Sequence, residues 1–316
     1  DTALAKDAGL QLGLKGSIVA NDRMETSVPD IYAVGDAVQV KNFVTGEGDL
    51  IALAGPANKQ GRIVADNICG IDSRYGGSQG SSVLKIFDLT AATTGVSEKK
   101  ARSLGYETDS VVLSPMSHAS YYPGGMVMTM KVVFEKNSYK LLGAQIIGYD
   151  GVDKRIDVLA TAIRAGMRAT ELKELDLAYA PPYSSAKDPV NMAGFMIDNI
   201  ARGVMKQWHI EDADKLPKDG SVTLLDTRTV GEYQRGHIEG FYNIPVDELR
   251  ERLDEVNPGK PVYVICQSGL RSYISCRILE GNGYTAYNFA GGFRFYQAVM
   301  NDRALIKRAT ACGMDN

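Results

Sequence analysis

The stretch PVYVICQSGLRS, Pro261 to Ser272, constrains this chain more than any other. A short apolar run bounded by a proline and broken by small and polar residues reads as a buried central strand of a parallel sheet. Such a strand ends in the crevice at the carboxyl edge of its sheet. The residues from Cys266 to Ser272 then lead straight into an amphipathic helical stretch, YISCRILEGNG. Backbone N–H groups in such a loop can curl into an anion-binding nest at the start of the helix. The helix dipole and Arg271 both favour a charged sulfur, so Cys266 is expected to be nucleophilic near neutrality. An inert buried thiol is the other reading of a cysteine at a strand end. The Gly-Leu-Arg-Ser continuation weighs against it.

The surroundings of this loop alternate in period. VTLLDTR reads as strand, VGEYQRG as short helix and HIEGFYNIP as strand and turn. VDELRERLDEV then reads as helix and YTAYNFAGG as strand and turn, with a final helix behind them. Strands alternating with helices imply a parallel α/β layer. Asp226 and Arg228 read as a strand-end pair that holds this layer together. Cys276, inside the helix, reads as core, and Cys312 as a tail residue of no importance.

At 316 residues the chain is too long for one ordinary core and suits two or three. With 44% apolar and 23% charged residues and a net charge of -3, it reads as a soluble globular protein without the basic footprint of a nucleic-acid binder. No apolar run approaches the roughly 20 residues that cross a bilayer, so a cytoplasmic protein without a membrane partner is expected. Four cysteines far apart, without metal-ligand spacing, point to reduced thiols and no metal site. The chain opens at Asp1 directly into a helical-looking stretch, which suggests the back portion of something larger.

Residues 1–76 read as helix, short strands and helix, with SIVAN, IYAVGDA and PANKQGRIVADNICG as the landmarks and Gly70 as the stop. A carboxylate directly after an apolar strand, Asp36, could accept from a sugar or ribityl hydroxyl, although a Gly-Asp turn is common there. The Gly- and Ser-rich RYGGSQGSS has the composition of a connection. Residues 82–203 read as an α+β layer: strand VLKIFDL, helix SEKKARSLG, strands TDSVVLSP, GMVMTMKVVFEK and KLLGAQIIG, and helices VDKRIDVLATAIRAG and PVNMAGFMIDNIARGVMK. The pair around Asn137 looks like an antiparallel hairpin. Residues 207–303 hold the parallel α/β layer, and residues 304–316 form a tail.

Several motifs carry a family resemblance. LLDTR, GEY, GHIEGFYNIP, the Cys266 loop and NFAGGF resemble the landmarks of rhodanese domains in order. The resemblance implies that Cys266 carries sulfur as a persulfide, with Gln267, Ser268, Gly269, Leu270 and Ser272 around the substrate and Arg271 taking part. Four residues separate Cys266 from Arg271, where the related cysteine-dependent phosphatases have five, so sulfur fits and phosphate does not. ETSVPDIYAVGDA and LAGPANKQGR resemble the second flavin-contacting segment of pyridine nucleotide-disulfide oxidoreductases. That implies FAD contacts at Gly35, Asp36 and Ala54, with the helix start beside Pro56 facing the flavin.

SHASYYPGG and LDLAYAPPYSSAKDPVNMAG are similar to the dimerisation domain of coenzyme A-disulfide reductases, particularly the form fused to a C-terminal rhodanese domain. The resemblance implies a homodimer using FAD and NAD(P)H. Tyr121 and Tyr179 would reach the partner's active site, and Lys59 and Lys187 would contact coenzyme A. His118 reads as packing. The implied fold is multidomain: part of an FAD-binding α/β domain, an α+β dimerisation domain and a parallel-sheet α/β rhodanese domain. The glycine-rich flavin motif, its nicotinamide counterpart and the reductase's own cysteine are absent, so the chain reads as the C-terminal part of a coenzyme A-disulfide, persulfide or polysulfide reductase. A sulfurtransferase on a dimerising scaffold, without redox activity, is the alternative.

Overall fold

A computed structural model of the chain describes residues 1–311, and Cys312 lies outside them. The chain forms two compact units. The first comprises Asp1–Asp109, Val133–Ile147 and Val152–Arg168, and the second comprises Ser110–Val132, Gly148–Gly151 and Ala169–Asn316.

The first unit opens with helix α1 (Ala3–Asp7) and strands β1 (Ile18–Val19), β2 (Val38–Lys41) and β3 (Gly48–Asp49), which make a small sheet in that order. Helix α2 (Ala54–Ile68) follows and stops just before Gly70, as its sequence predicts. IYAV is not a strand. Tyr32 makes an isolated bridge with Glu25, and the regular strand, β2, comes after the Gly-Asp turn. The RYGGSQGSS stretch is tied down: Ser78 N–H bonds the Lys41 carbonyl at 3.0 Å, and Arg164 reaches the Gly76 and Gly77 carbonyls at 3.3 Å.

VLKIFDL is not one strand but the first half of a hairpin, β4 (Ser82–Ile86) turning at Phe87 (φ 52°) into β5 (Leu89–Gly95). The sequence hides β5 because LTAATTG has neither alternation nor bulk. Helix α3 (Glu98–Ser103) is capped by the Ser97 hydroxyl, which accepts from Lys100 N–H. Strands β6 (Thr108–Leu113), β7 (Thr129–Glu135) and β8 (Leu141–Gly148) complete a sheet of order β4-β5-β8-β7-β6. Helix α4 (Val152–Arg164) buries Val152, Ile156, Leu159 and Ile163, one face at helical spacing.

In the second unit, helix α5 (Pro189–Ala201) begins at an Asp188 cap with proline in its first turn. Beyond it lies the parallel α/β layer. Its elements are β9 (Gln207–Trp208), β10 (Thr223–Asp226), α6 (Val230–Gln234), β11 (Tyr242–Asn243), β12 (Val262–Ile265), α7 (Leu270–Gly281), β13 (Ala286–Phe289) and α8 (Gly292–Ala311). The sheet order is β11-β10-β12-β13-β9, and each neighbouring pair in it is parallel. The apolar run of the sequence is therefore the middle strand, its Val262 and Val264 buried with Leu225, Ile278 and Leu279. VDELRERLDEV is not an α-helix. Its N–H groups bond three residues back, ending in a 3-10 turn at Leu253–Glu255, because Leu249 and Val256 are both drawn into the core from a segment bounded by prolines. Edge strand β9 carries no strand pattern of its own.

Candidate active site

Strand β10 is followed in the chain by β11 on one side, whereas β12 lies on its other side. The sheet's connections change direction between β10 and β12, and a ligand crevice opens at the carboxyl ends of such neighbours. The Cys266 loop leaves β12 at that point, and Asp226, Thr227 and Arg228 leave β10 beside it. Thr227 ties the two ends together, its N–H and hydroxyl both bonding the Ile265 carbonyl at 2.9 and 3.1 Å.

Cys266 is fully buried. Its Sγ accepts from the Gly269 backbone N–H at 3.1 Å and lies 3.2 Å from the Ser272 hydroxyl. Gly269 sits at φ 100°, a left-handed conformation that turns its N–H inward and that a Cβ would strain. The loop is clamped from behind by the first turn of α8: Phe293 N–H bonds the Cys266 carbonyl at 2.7 Å, and Arg294 N–H bonds that of Gln267 at 3.1 Å. That approach requires Gly292, where a Cβ would stand 2.6 Å from Ser268 N. Gln267 and Ser268 are half-buried and Leu270 is exposed.

Arg271 lies close enough to feel a charge on Cys266, but its guanidinium is engaged elsewhere. It makes a two-pronged ion pair with Glu232 of α6, both contacts at 2.7 Å. This pair raises the affinity of Arg271 for its proton and holds the Glu232 carboxyl at about 2, below the ordinary 4.5. Much of the positive charge that the sequence assigns to the sulfur is thus answered by Glu232. The neighbouring Asp226–Arg228 pair is buried at 2.7 Å, with Arg228 also bonding the Gly236 carbonyl at 2.8 Å and covering the Phe293 ring at 3.8 Å. Arg228 reaches Gln267 Oε1 at 3.5 Å, so this strand-end pair also steadies the sulfur loop. Burial pushes the Cys276 thiol well above its ordinary value, and it packs in the apolar core.

Two other predicted groups stand apart from this loop. The hydroxyls of Tyr121 and Tyr179 meet at 2.7 Å although 58 residues separate them, and both rings are exposed. The hydrogen bond between the two hydroxyls raises the Tyr179 pKa. His118 is buried with Nδ1 3.1 Å from the Ala119 carbonyl and its ring edge-on to Tyr122, a packing arrangement. Lys187 is exposed, its ammonium 5.5 Å from the centre of the Phe195 ring. In the first unit, Gly35 (φ 82°) donates its N–H to Gln60 Oε1 of α2 at 2.7 Å, which fixes the Gly-Asp turn on that helix. Asp36, Ala54 and Lys59 are exposed, and no side chain caps the start of α2. An exposed carboxylate and an uncapped helix start suit a polyhydroxyl chain and a ring that takes up negative charge on reduction, so these residues fit FAD.

Three family models match the chain: the pyridine nucleotide-disulphide oxidoreductase over residues 1–61, the dimerisation domain of that family over residues 81–189, and the rhodanese-like domain over residues 209–298. The chain belongs to the pyridine nucleotide-disulphide oxidoreductases and carries a rhodanese-like domain. A coenzyme A disulfide reductase of Staphylococcus aureus (strain bovine RF122 / ET3-1) is 37% identical over 191 residues, 60% of this chain and 43% of that relative. A CoA-dependent NAD(P)H sulfur oxidoreductase of Pyrococcus furiosus is 36% identical over 59% of this chain and 42% of its own length. Among solved structures, reduced CoADR-RHD of Bacillus anthracis superposes with a TM-score of 0.92 at 48% identity, over 96% of this chain and 54% of the other. A NAD-dependent persulfide reductase of A. fulgidus gives 0.84 at 39% identity, over 92% and 52%. The chain thus spans about half the length of the relatives it matches.

Within the rhodanese-like domain, sequence reasoning missed three contributors to the sulfur loop. Glu232 sits in a T-x-x-E capping box with Thr229, a signal legible in the sequence, yet its pairing with Arg271 is not. Gly292 and Asn288 carry no local signal of what they face. Among the described residues, no helix is long and apolar enough to cross a membrane.

Proposed function

We propose that this chain is the C-terminal part of a homodimeric reductase, using FAD and NAD(P)H, that acts on coenzyme A disulfide, coenzyme A persulfide or polysulfide and receives sulfane sulfur from Cys266. The observation that carries the proposal is the Cys266 sulfur at the carboxyl end of a central parallel strand, held by the Gly269 N–H and within reach of the Ser272 hydroxyl. A thiolate there attacks the outer sulfur of a donor such as thiosulfate. A Cys266 sulfur–sulfur bond forms, the donor's own sulfur–sulfur bond breaks, and sulfite leaves with the electron pair. The donated hydrogen bonds disperse the negative charge of thiolate and persulfide alike.

Gly35, Asp36, Ala54 and the start of α2 would hold the flavin, which when bound supplies the electrons drawn from NAD(P)H. One hydroxyl proton is used between Tyr121 and Tyr179 and the other is left to donate, so the tyrosine pair suits donation of a hydrogen bond to a sulfur anion of the substrate or of the partner subunit. Lys59 and Lys187 would meet the phosphates of coenzyme A as point charges. The names of the relatives support this assignment of substrate. A non-membrane, cytoplasmic location accords with it.

The test is mass spectrometry of the intact chain after thiosulfate treatment. The expected product carries one extra sulfur, is lost in Cys266→Ala and is kept in Cys276→Ala. An unmodified wild-type chain, or an adduct that survives Cys266→Ala, would overturn the assignment.

A further inference from the structure

We propose that Asn288 is a positioning residue for the chemistry of Cys266, acting through the Ser272 hydroxyl. The inference rests on the sulfur-carrying reading of Cys266 and adds to it a buried two-position relay.

Ser272 is fully buried and Asn288 is 1% exposed. The hydroxyl of Ser272 has one proton and three acceptors around it: Asn288 Oδ1 at 2.6 Å, the Gly269 carbonyl at 3.1 Å and Cys266 Sγ at 3.2 Å. While the proton points to Asn288, the sulfur keeps the Gly269 N–H but not the hydroxyl. The other end of the Asn288 amide touches Met205 Sδ at 3.7 Å, and a thioether is a weak acceptor. A half-turn of the amide therefore loses little. It places an N–H donor on the Ser272 oxygen and sends the Ser272 proton to the sulfur.

The two settings answer to two states of Cys266. Beside a neutral thiol, Asn288 accepts from Ser272. Beside a thiolate or persulfide anion, Asn288 donates to Ser272 and Ser272 donates to the sulfur, a chain in which each hydrogen bond polarises the next. The Asn288 backbone does not move, because β13 pairs with both β12 and β9 at this residue. The charged and titratable groups near Cys266 lie outside the relay. Asp226 and Arg228 pair with each other, as do Glu232 and Arg271, and the Arg294 side chain is exposed; Arg271 and the buried Cys276 both feel a charge on Cys266, but neither is bonded through its side chain to Ser272 or Asn288.

The experiment measures the rate at which iodoacetamide alkylates Cys266 as a function of pH, in a Cys69→Ser/Cys312→Ser background read by mass spectrometry. Ser272→Ala should move the midpoint of the profile up by about one pH unit and slow alkylation below it about tenfold, as expected for one lost hydrogen bond to a charged acceptor. Asn288→Ala, which leaves the Ser272 hydroxyl in place but removes the donor that polarises it, should move the midpoint up by a smaller amount, and the double variant should match Ser272→Ala alone, since Asn288 acts only through Ser272. Asn288→Ser, which keeps a donor, should recover part of the shift. An unmoved or lowered midpoint in Asn288→Ala, or additive effects in the double variant, would overturn the relay. Should Asn288→Ala fail to fold by circular dichroism, the comparison of Asn288→Ser with Ser272→Ala/Asn288→Ser decides by the same additivity criterion. Alkylation needs no sulfur donor, so a chain that takes no sulfur from thiosulfate fails the functional reading and leaves this test separate.

Discussion

Glu232 answers the charge that the sequence alone assigns to the sulfur. Its carboxyl is depressed to about 2 from 4.5, first of all by Arg271. A carboxyl whose folded value lies below its unfolded one stabilises the fold above the unfolded value and loses that contribution as pH falls through the folded value. The window is therefore between about 4.5 and about 2. Glu232→Gln should lower stability at neutral pH by no more than about 1 kcal/mol, since both partners keep partial contact with solvent. The gap between wild type and variant, followed by thermal melts across pH, should close towards pH 2; a gap that stays constant over the whole range would show that the ion pair contributes nothing. The strand and the backbone N–H turned onto the Cys266 sulfur stand without this pair. What the structure adds is a second role for Arg271, which secures α7 to α6 through Glu232 while still feeling a charge on Cys266.

At the scale of elements, the sulfur loop is held between two helix starts. Helix α7 begins at Gly269 and supplies an N–H to the sulfur, while α8 begins at Gly292 and fastens the loop carbonyls from behind. Gly292→Ala combines a Cβ 2.6 Å from Ser268 N with φ 70°, so it should destabilise the domain by about 1–3 kcal/mol and abolish sulfur loading on Cys266. Urea midpoints and adduct mass would measure both effects. Gly281→Ala, at the end of α7 where a Cβ meets nothing, serves as the control and should leave both intact. Helix periodicity was legible here and strand length was not. α4 and α7 follow their patterns, whereas β9 and β11 are two residues each and take their strand character from neighbours in the sheet. The 3-10 turns over the VDELRERLDEV segment arise in the same way, from core demand at both ends of a short connection.

For the whole molecule, the proposed division of labour makes the sulfur loop and the flavin site separable. A reductase of the relatives' full length should purify yellow and oxidise NAD(P)H when coenzyme A disulfide is added. Its Cys266→Ala form should keep that activity while losing sulfide release when thiosulfate is the source. Loss of both together would mean that Cys266 serves the reductase site directly, and a colourless full-length protein would favour a sulfurtransferase without redox function. The sequence by itself determined the parallel layer, the place of Cys266 at the end of its central strand, and the helix that follows. Strand runs, caps and turns are set by near neighbours, and their periodicity is written along the chain. Only the tertiary structure decided who faces whom. Arg271 meets Glu232 across 39 residues, Gln267 meets Arg228 across 39, Ser272 meets Asn288 across 16 and Tyr121 meets Tyr179 across 58. Such contacts depend on which strands the sheet places side by side, and residue spacing along the chain carries no record of that order.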